Sequence, residues 1–351
     1  MDLGPATSLS FLKKLGVTSV VESGAVNDMN AAALALGGMT NGISPLQMTA
    51  GYGTFANQGL YIKPSAFTTV TNKRGETLLE NAVKKETVMD RGVAFIVTDI
   101  LRTTVSNGIA KAAAIGSHTV AGKTGTTTDN YDAWFVGMTP HYSAALWIGN
   151  DINLELSQGS VAAARLWSKI MKQVHAGLPQ GSFPNAENVT SAEIDTKSGK
   201  LPSELSSLDP RETIRSEYFV LGTVPTETDD IHVAVTICKD SGHLATPYCY
   251  NTENKVMVRR KEGSVISYGD FKVGDIEYEA PHYYCNLHNP DPHSYPINPN
   301  LSIQPYIPRG NEQNNGSPPW TDQPSTENPA TDDHPDTVVS PNDSDKPEWL
   351  N

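Results

Sequence analysis

Lys123-Thr124-Gly125, followed by Thr126, is the stretch whose residue types and order could do chemistry. Lysine supplies a fixed positive charge, and threonine hydroxyls can donate to a carboxylate. Glycine has no Cβ, so a second backbone can approach closely. If the stretch is a strand at a sheet edge, its free backbone groups can pair with an extended peptide. Together these features suit a ligand that is peptide-like and ends in a carboxylate. The triplet alone is equally compatible with a surface strand carrying an incidental lysine.

Two other groups of residues could be chemical. Ser10-Phe11-Leu12-Lys13 is the sole Ser-x-x-Lys in the chain. That spacing puts a hydroxyl and an amine on one helical face, the arrangement of a serine activated by lysine. The adjacent lysines at the end of so short a helix indicate a solvated face, and Ser10 reads as a decoy. The only Ser-x-Asn is Ser340-Pro341-Asn342, late in the chain. The three cysteines, Cys238, Cys249 and Cys285, all lie in the last third. One arrangement is a Cys238–Cys249 disulfide with Cys285 free, or unpaired thiols. The other is a Cys₃His zinc site completed by His288, with His243 a further possible ligand. Because the thiols are widely spaced, the first arrangement takes precedence and no metal is expected.

The elements that must position Lys123 can be read from pattern. Thr119–Thr128, Asp132–Met138 and Tyr142–Ile148 are short runs rich in aromatic, Val and Thr residues, separated by polar turns. They predict an antiparallel meander with Lys123 on an edge. Ser8 to Leu15 predicts a short helix closed by Gly16. Ser44-Pro45-Leu46-Gln47 opens another: an N-cap serine, proline in the first turn and a capping-box glutamine, with Gly59 as its stop. Ala66–Thr71 and Glu76–Leu79 predict a hairpin. Asp90 caps a helix through about Val105, with Val93, Ile96, Val97, Ile100 and Leu101 on one face. A long helix from about Ser160 to His175 follows the meander. Helices before and after an antiparallel sheet indicate an α+β domain.

Composition bounds the rest. With 351 residues and a net charge of −13, the chain offers nothing to nucleic acid. No apolar run is long enough for a membrane span, and the first residues do not resemble a secretory signal. Residues 1–180 are expected to form the main domain. Residues 181–310 are expected to form a small cysteine-containing module in which Ile231–Cys238 is the one convincing strand. Residues 311–351 are acidic, proline-rich and poor in aliphatic side chains, a composition that predicts a disordered tail.

The run AGKTGTTTDNYDAWFVGMTPHYSAALWIGND (120s to 151), together with the upstream segment 33–64 and the downstream stretches IDTKSGKLP and YFVLGTVPT, resembles the class A, bifunctional penicillin-binding proteins. Lys-Thr-Gly is one of three motifs of serine penicillin-binding enzymes, beside a Ser-x-x-Lys and a Ser-x-Asn. The resemblance covers roughly residues 1–249. It implies part of a serine transpeptidase (β-lactamase-like) domain, an antiparallel sheet flanked by helices. The implied reaction is serine acyl transfer on D-alanyl-D-alanine stem peptides, cross-linking peptidoglycan, with β-lactams as ligands and no cofactor. Lys123 would assist proton relay and stabilise anionic states. Thr124, Gly125 and Thr126 would bind the substrate carboxylate, and the Thr126 N–H would form half of an oxyanion hole. Asp132 and Trp134 would be structural, and His118, His141 and His175 surface or helix-end residues. The family places its nucleophile and Ser-x-Asn before a region like this one. The resemblance therefore implies that nucleophile, glycosyltransferase domain and membrane anchor all belong upstream of Met1, on the extracytoplasmic face of the membrane. A non-catalytic module that only holds peptidoglycan or a β-lactam is the alternative.

Overall fold

The computed structural model describes residues 3–259 and 275–288. The expected disordered tail, 311–351, and part of the 181–310 module lie outside the described residues. Helix α1 (Gly4–Lys14) starts before the expected Ser8 and has Leu15 as its C-cap, and α2 (Ala31–Ala35) is one short turn within the Ala-rich run. Helix α3 (Pro45–Ala56) begins with the anticipated capping box. Ser44 Oγ accepts from Gln47 N at 3.3 Å, and Gln47 Oε1 accepts from Ser44 N at 3.2 Å. The chain turns off the helix through Gly59, whose φ is +84° and where a Cβ would collide with the Met89 carbonyl oxygen.

Strand β1 (Leu60–Ile62) pairs with β4 (Lys85–Thr87), enclosing the hairpin of β2 (Thr69–Thr71) and β3 (Thr77–Glu80). Asp90 then caps α4 (Arg91–Ser106), its Oδ1 accepting from Gly92 N at 2.8 Å and Val93 N at 3.2 Å. The inward face of α4 differs from the expected apolar stripe. Ala94, Thr98, Leu101 and Val105 are buried, whereas Val93 and Ile100 are 44% and 59% exposed. Small residues at 94 and 98 permit a close approach to the sheet, and that approach sets the rotation of the helix.

The central sheet has the order β5 (Ala121–Thr126), β6 (Asp132–Met138), β7 (Ser143–Gly149), all antiparallel. The meander and the edge position of Lys123 are as the sequence predicts. Helix α5 (Ser160–Val174) covers one face, where Trp167 meets Phe135 edge to face at 5.0 Å between ring centroids. The indole N–H of Trp167 donates to the Ala144 carbonyl at 3.0 Å. On the other face Met138, Ala121 and Leu101 form a smaller cluster with Tyr52 and Phe55 of α3. The result is a helix–sheet–helix sandwich.

Beyond α5 come two hairpins: β8 (Val189–Asp195) with β9 (Ile214–Val220), and β10 (His232–Cys238) with β11 (Thr252–Val258). Only β10 was legible as a strand. The other three carry many charged and hydroxyl residues and leave most of them exposed.

Candidate functional site

The outer edge of β5 is the candidate site, and its backbone polarity can be derived. The Thr104 hydroxyl donates to the Gly122 carbonyl, so that carbonyl points away from β6. Residues alternate along a strand, so the N–H and C=O groups of Thr124 and Thr126 also face outward. In agreement, Thr127 N donates to Asp132 O on the β6 side, at 3.3 Å. Thr104 thus closes the start of the edge and leaves the rest to a ligand. Lys123 is exposed, and its Nζ donates to the Thr124 carbonyl at 2.8 Å on this edge.

The two threonines have different surroundings. Thr126 is exposed. Thr124 is only 6% exposed and pairs in register with the fully buried Phe135. Gly125 lies opposite Trp134, with 3.2 Å between a notional Cβ and the Trp134 Cβ. Asp132 holds the β5–β6 turn: one carboxylate oxygen accepts from the Thr127 hydroxyl at 3.0 Å and the other from the Trp147 indole at 2.7 Å. Thr104 was not singled out from sequence, and no local motif points to it.

Ser10 is exposed on α1, and the Lys13 ammonium lies 2.7 Å from Glu22. The histidines converge instead of scattering over the surface. His175 is 3% exposed, its Nδ1 donating to the Met171 carbonyl at 2.9 Å and its Nε2 2.9 Å from the Thr139 hydroxyl. His118 and His141 pack around it with ring centroids 5.0 and 5.9 Å away. His175 is the C-cap of α5, as the helix-end reading expects, but it is buried and its polar atoms find partners inside the fold.

A buried charge cluster went unread in the sequence. His232 places Nε2 2.9 Å from Asp209 Oδ2 and Nδ1 3.0 Å from Asp229 Oδ2. Arg211 grips Asp209 through two nitrogens and lies 4.4 Å over the Tyr278 ring. Burial would raise the Asp209 carboxyl, but its hydrogen bonds from Arg211 and His232 outweigh that and hold it far below the usual carboxylate range. Asp229 is lowered for a similar reason: burial opposes, and bonds from His232 and Ser203 prevail. Asp195 completes the cluster, its Oδ2 accepting from Ser198 N at 2.7 Å and Lys197 N at 3.2 Å. With both His232 nitrogens facing carboxylates, the cluster reads as an ion-pair network.

In the cysteine region the unpaired-thiol form of the expected arrangement is found, and the disulfide form is not. All three cysteines are free thiols, so the Cys238–Cys249 disulfide is not formed. Their sulfurs and a ring nitrogen of His288 all lie within 4.8 Å of one another. His243 is not in this group, and its Nδ1 is buried without a hydrogen-bond partner.

Comparison with known proteins agrees with this architecture. Residues 2–172 match the family described as the penicillin-binding protein transpeptidase domain. Residues 185–234 match the C-terminal domain of penicillin-binding protein 1A. Penicillin-binding protein 1A of Clostridium botulinum (strain Langeland) is 40% identical over 264 residues, covering 74% of this chain and 31% of the relative. That of Clostridium novyi is 33% identical over 297 residues, covering 82% and 34%. The crystal structure of penicillin-binding protein 1A from Haemophilus influenzae shares the fold, with a TM-score of 0.53 at 23% identity, over 64% of this chain and 38% of that one. The chain belongs to the class A penicillin-binding proteins. It spans about a third of the length of the curated relatives it matches.

Proposed function

We propose that the β5 edge is the carboxylate-holding wall of a serine D,D-transpeptidase site. Its ligands are D-alanyl-D-alanine stem peptides of peptidoglycan and the β-lactams that resemble them. The observation that supports this most is the pairing, on one open strand edge, of the Lys123 ammonium with the outward backbone groups of Thr124 and Thr126. A peptide laid along that edge would gain backbone hydrogen bonds, and its terminal carboxylate would meet Lys123 and the exposed Thr126 hydroxyl. The outward Thr126 N–H would serve as one oxyanion donor during acyl transfer. The reaction of the whole enzyme is attack by a serine on the D-Ala-D-Ala bond, departure of the terminal D-alanine, then aminolysis of the acyl-enzyme by a neighbouring peptide. In that reaction Lys123 stabilises anionic states and helps relay protons. Peptidoglycan lies outside the cytoplasmic membrane, so the domain works on the extracytoplasmic face. Among the described residues, no helix is long and apolar enough to cross a membrane.

A peptide ending in D-Ala-D-Ala, titrated into isotopically labelled chain, tests the reading. Shifts should concentrate at the amides of Thr124, Gly125 and Thr126 and disappear with Lys123→Met. Shifts located elsewhere, or unaffected by Lys123→Met, would refute it.

A further inference from the structure

We propose that Cys238, Cys249, Cys285 and His288 bind a structural zinc ion that ties the last described segment of the chain to the β10–β11 hairpin. The four groups come from three separate places. Cys238 ends β10, Cys249 lies in the loop before β11, and Cys285 and His288 belong to residues 275–288. Their four donor atoms nevertheless lie within 4.8 Å of one another. His288 Nδ1 is 3.4 Å from Cys238 Sγ and 3.5 Å from Cys285 Sγ. Tetrahedral zinc, with Zn–S near 2.3 Å and Zn–N near 2.0–2.1 Å, separates sulfur and nitrogen ligands by about 3.6 Å. The two S–N separations match two edges of such a tetrahedron.

The surroundings match those of a metal site as well. His288 turns its other nitrogen, Nε2, toward Asp240 Oδ2 at 3.5 Å. A carboxylate behind a ligating imidazole fixes the tautomer and ring orientation and raises ligand basicity. Cys249 Sγ accepts from the Thr246 backbone N–H at 3.3 Å, a donor suited to the charge of a thiolate. Cys238 and Cys285 are completely buried, so the ion would be shielded from exchange with solvent. Four protein ligands leave no open position, which makes the site structural and not catalytic.

A need for such a staple is visible in the packing. The local core consists of Val235, Ile237, Leu244, Met257 and Ala280. So small a core supplies little net stability. Near the cysteines the 275–288 segment is joined to the hairpin by backbone bonds such as Cys285 N to Leu244 O at 2.7 Å and Leu244 N to Tyr283 O at 3.0 Å, while its start is held by Lys197 and Arg211 through Asp275 and Tyr278. Binding zinc replaces one proton on each thiol and leaves His288 neutral. Its binding free energy becomes folding free energy for this region.

The test uses the full 351-residue chain, purified under reducing conditions and dialysed against a weak chelator. Elemental analysis should find one zinc per chain, and exchange with cobalt(II) should give the intense visible absorption of a tetrahedral thiolate site. Asp240→Asn should weaken zinc affinity about 10- to 100-fold, and His288→Ala by more. His288→Cys should keep one zinc and alter the cobalt spectrum, which separates ligation from a mere folding defect. Zinc content unchanged by His288→Ala would overturn the proposal. So would a metal-free chain whose intact mass shows two of the cysteines joined as a disulfide.

Discussion

The Lys123 ammonium rests on the carbonyl oxygen of Thr124, 2.8 Å away, along the one edge of the central sheet that also presents the Thr126 N–H outward. The bond is local, between neighbours in sequence, and it involves an exposed charge. An incoming carboxylate can therefore take the ammonium over without dismantling any core contact. Lys123→Met should weaken binding of a D-Ala-D-Ala peptide by about 1.5–3 kcal/mol, the usual worth of a hydrogen bond to a charged group. That is roughly a 10- to 150-fold rise in Kd by calorimetry. The melting temperature should stay within a degree or so, because an exposed side chain far from packing contributes little. Equal binding by the variant would remove Lys123 from the site.

A second expectation concerns the layer beneath that edge. A Cβ at Gly137 would lie 2.6 Å from both Phe135 Cε1 and Trp167 Cζ2. Both rings are buried and held by each other, so neither can swing away. Gly137→Ala should destabilise the domain by roughly 1–3 kcal/mol through overpacking. In thermal denaturation this corresponds to a fall of a few degrees for a chain of this size. A variant as stable as the parent would mean that α5 yields more readily than the packing indicates.

How far the sequence reveals this molecule depends on the kind of signal. The meander around Lys123 was legible because its strands are apolar and its turns polar. The capping box at Ser44 was legible because its chemistry is local. The orientation of α4 was not, since Ala94 and Thr98 face inward for reasons of clearance that hydrophobicity does not register. Strands β8, β9 and β11 escaped because polar, half-exposed hairpins lack the alternation that marks a strand against a core. The His232 network joins residues 195, 209, 211, 229 and 232, and nothing in their spacing announces that they meet. For the cysteines, wide spacing left a disulfide, unpaired thiols and a zinc site all open, while the fold brings three thiols and an imidazole together. Contacts between distant segments are settled by topology, which residue order does not display.

The His232 network makes the region beyond α5 sensitive to acid. Asp209 and Asp229 have carboxyl pKa values depressed in the folded state. The unfolded chain, with ordinary aspartates near 3.9, therefore binds more protons around that pH. Stability from these groups is complete above the unfolded value and is lost as pH falls through the folded one. Circular dichroism melts should show a plateau at neutral pH and a steep decline below about pH 4. Asp209→Asn should lower stability at neutral pH, by leaving Arg211 without its bidentate partner, and flatten the acid limb. An acid limb with the same slope in Asp209→Asn would show that other carboxylates set it.

The last expectation is that the 351-residue polypeptide, taken by itself, forms no covalent adduct with penicillin. Acylation needs a hydroxyl whose proton is removed by an adjacent base. Its one Ser-x-x-Lys is Ser10–Lys13, and there the lysine is engaged at 2.7 Å by Glu22 while the serine faces solvent. The β5 edge can orient a carboxylate, but orientation supplies no electron pair to the lactam carbonyl. Incubation with fluorescent penicillin, followed by denaturing electrophoresis, should therefore show no band above background. Ser10→Ala should leave that result unchanged. Reversible binding of the same compound should still be detectable and should weaken with Lys123→Met. A stoichiometric band that Ser10→Ala abolishes would make Ser10 a nucleophile and Lys13 its base, and would establish this polypeptide as an acyl-transfer enzyme in its own right.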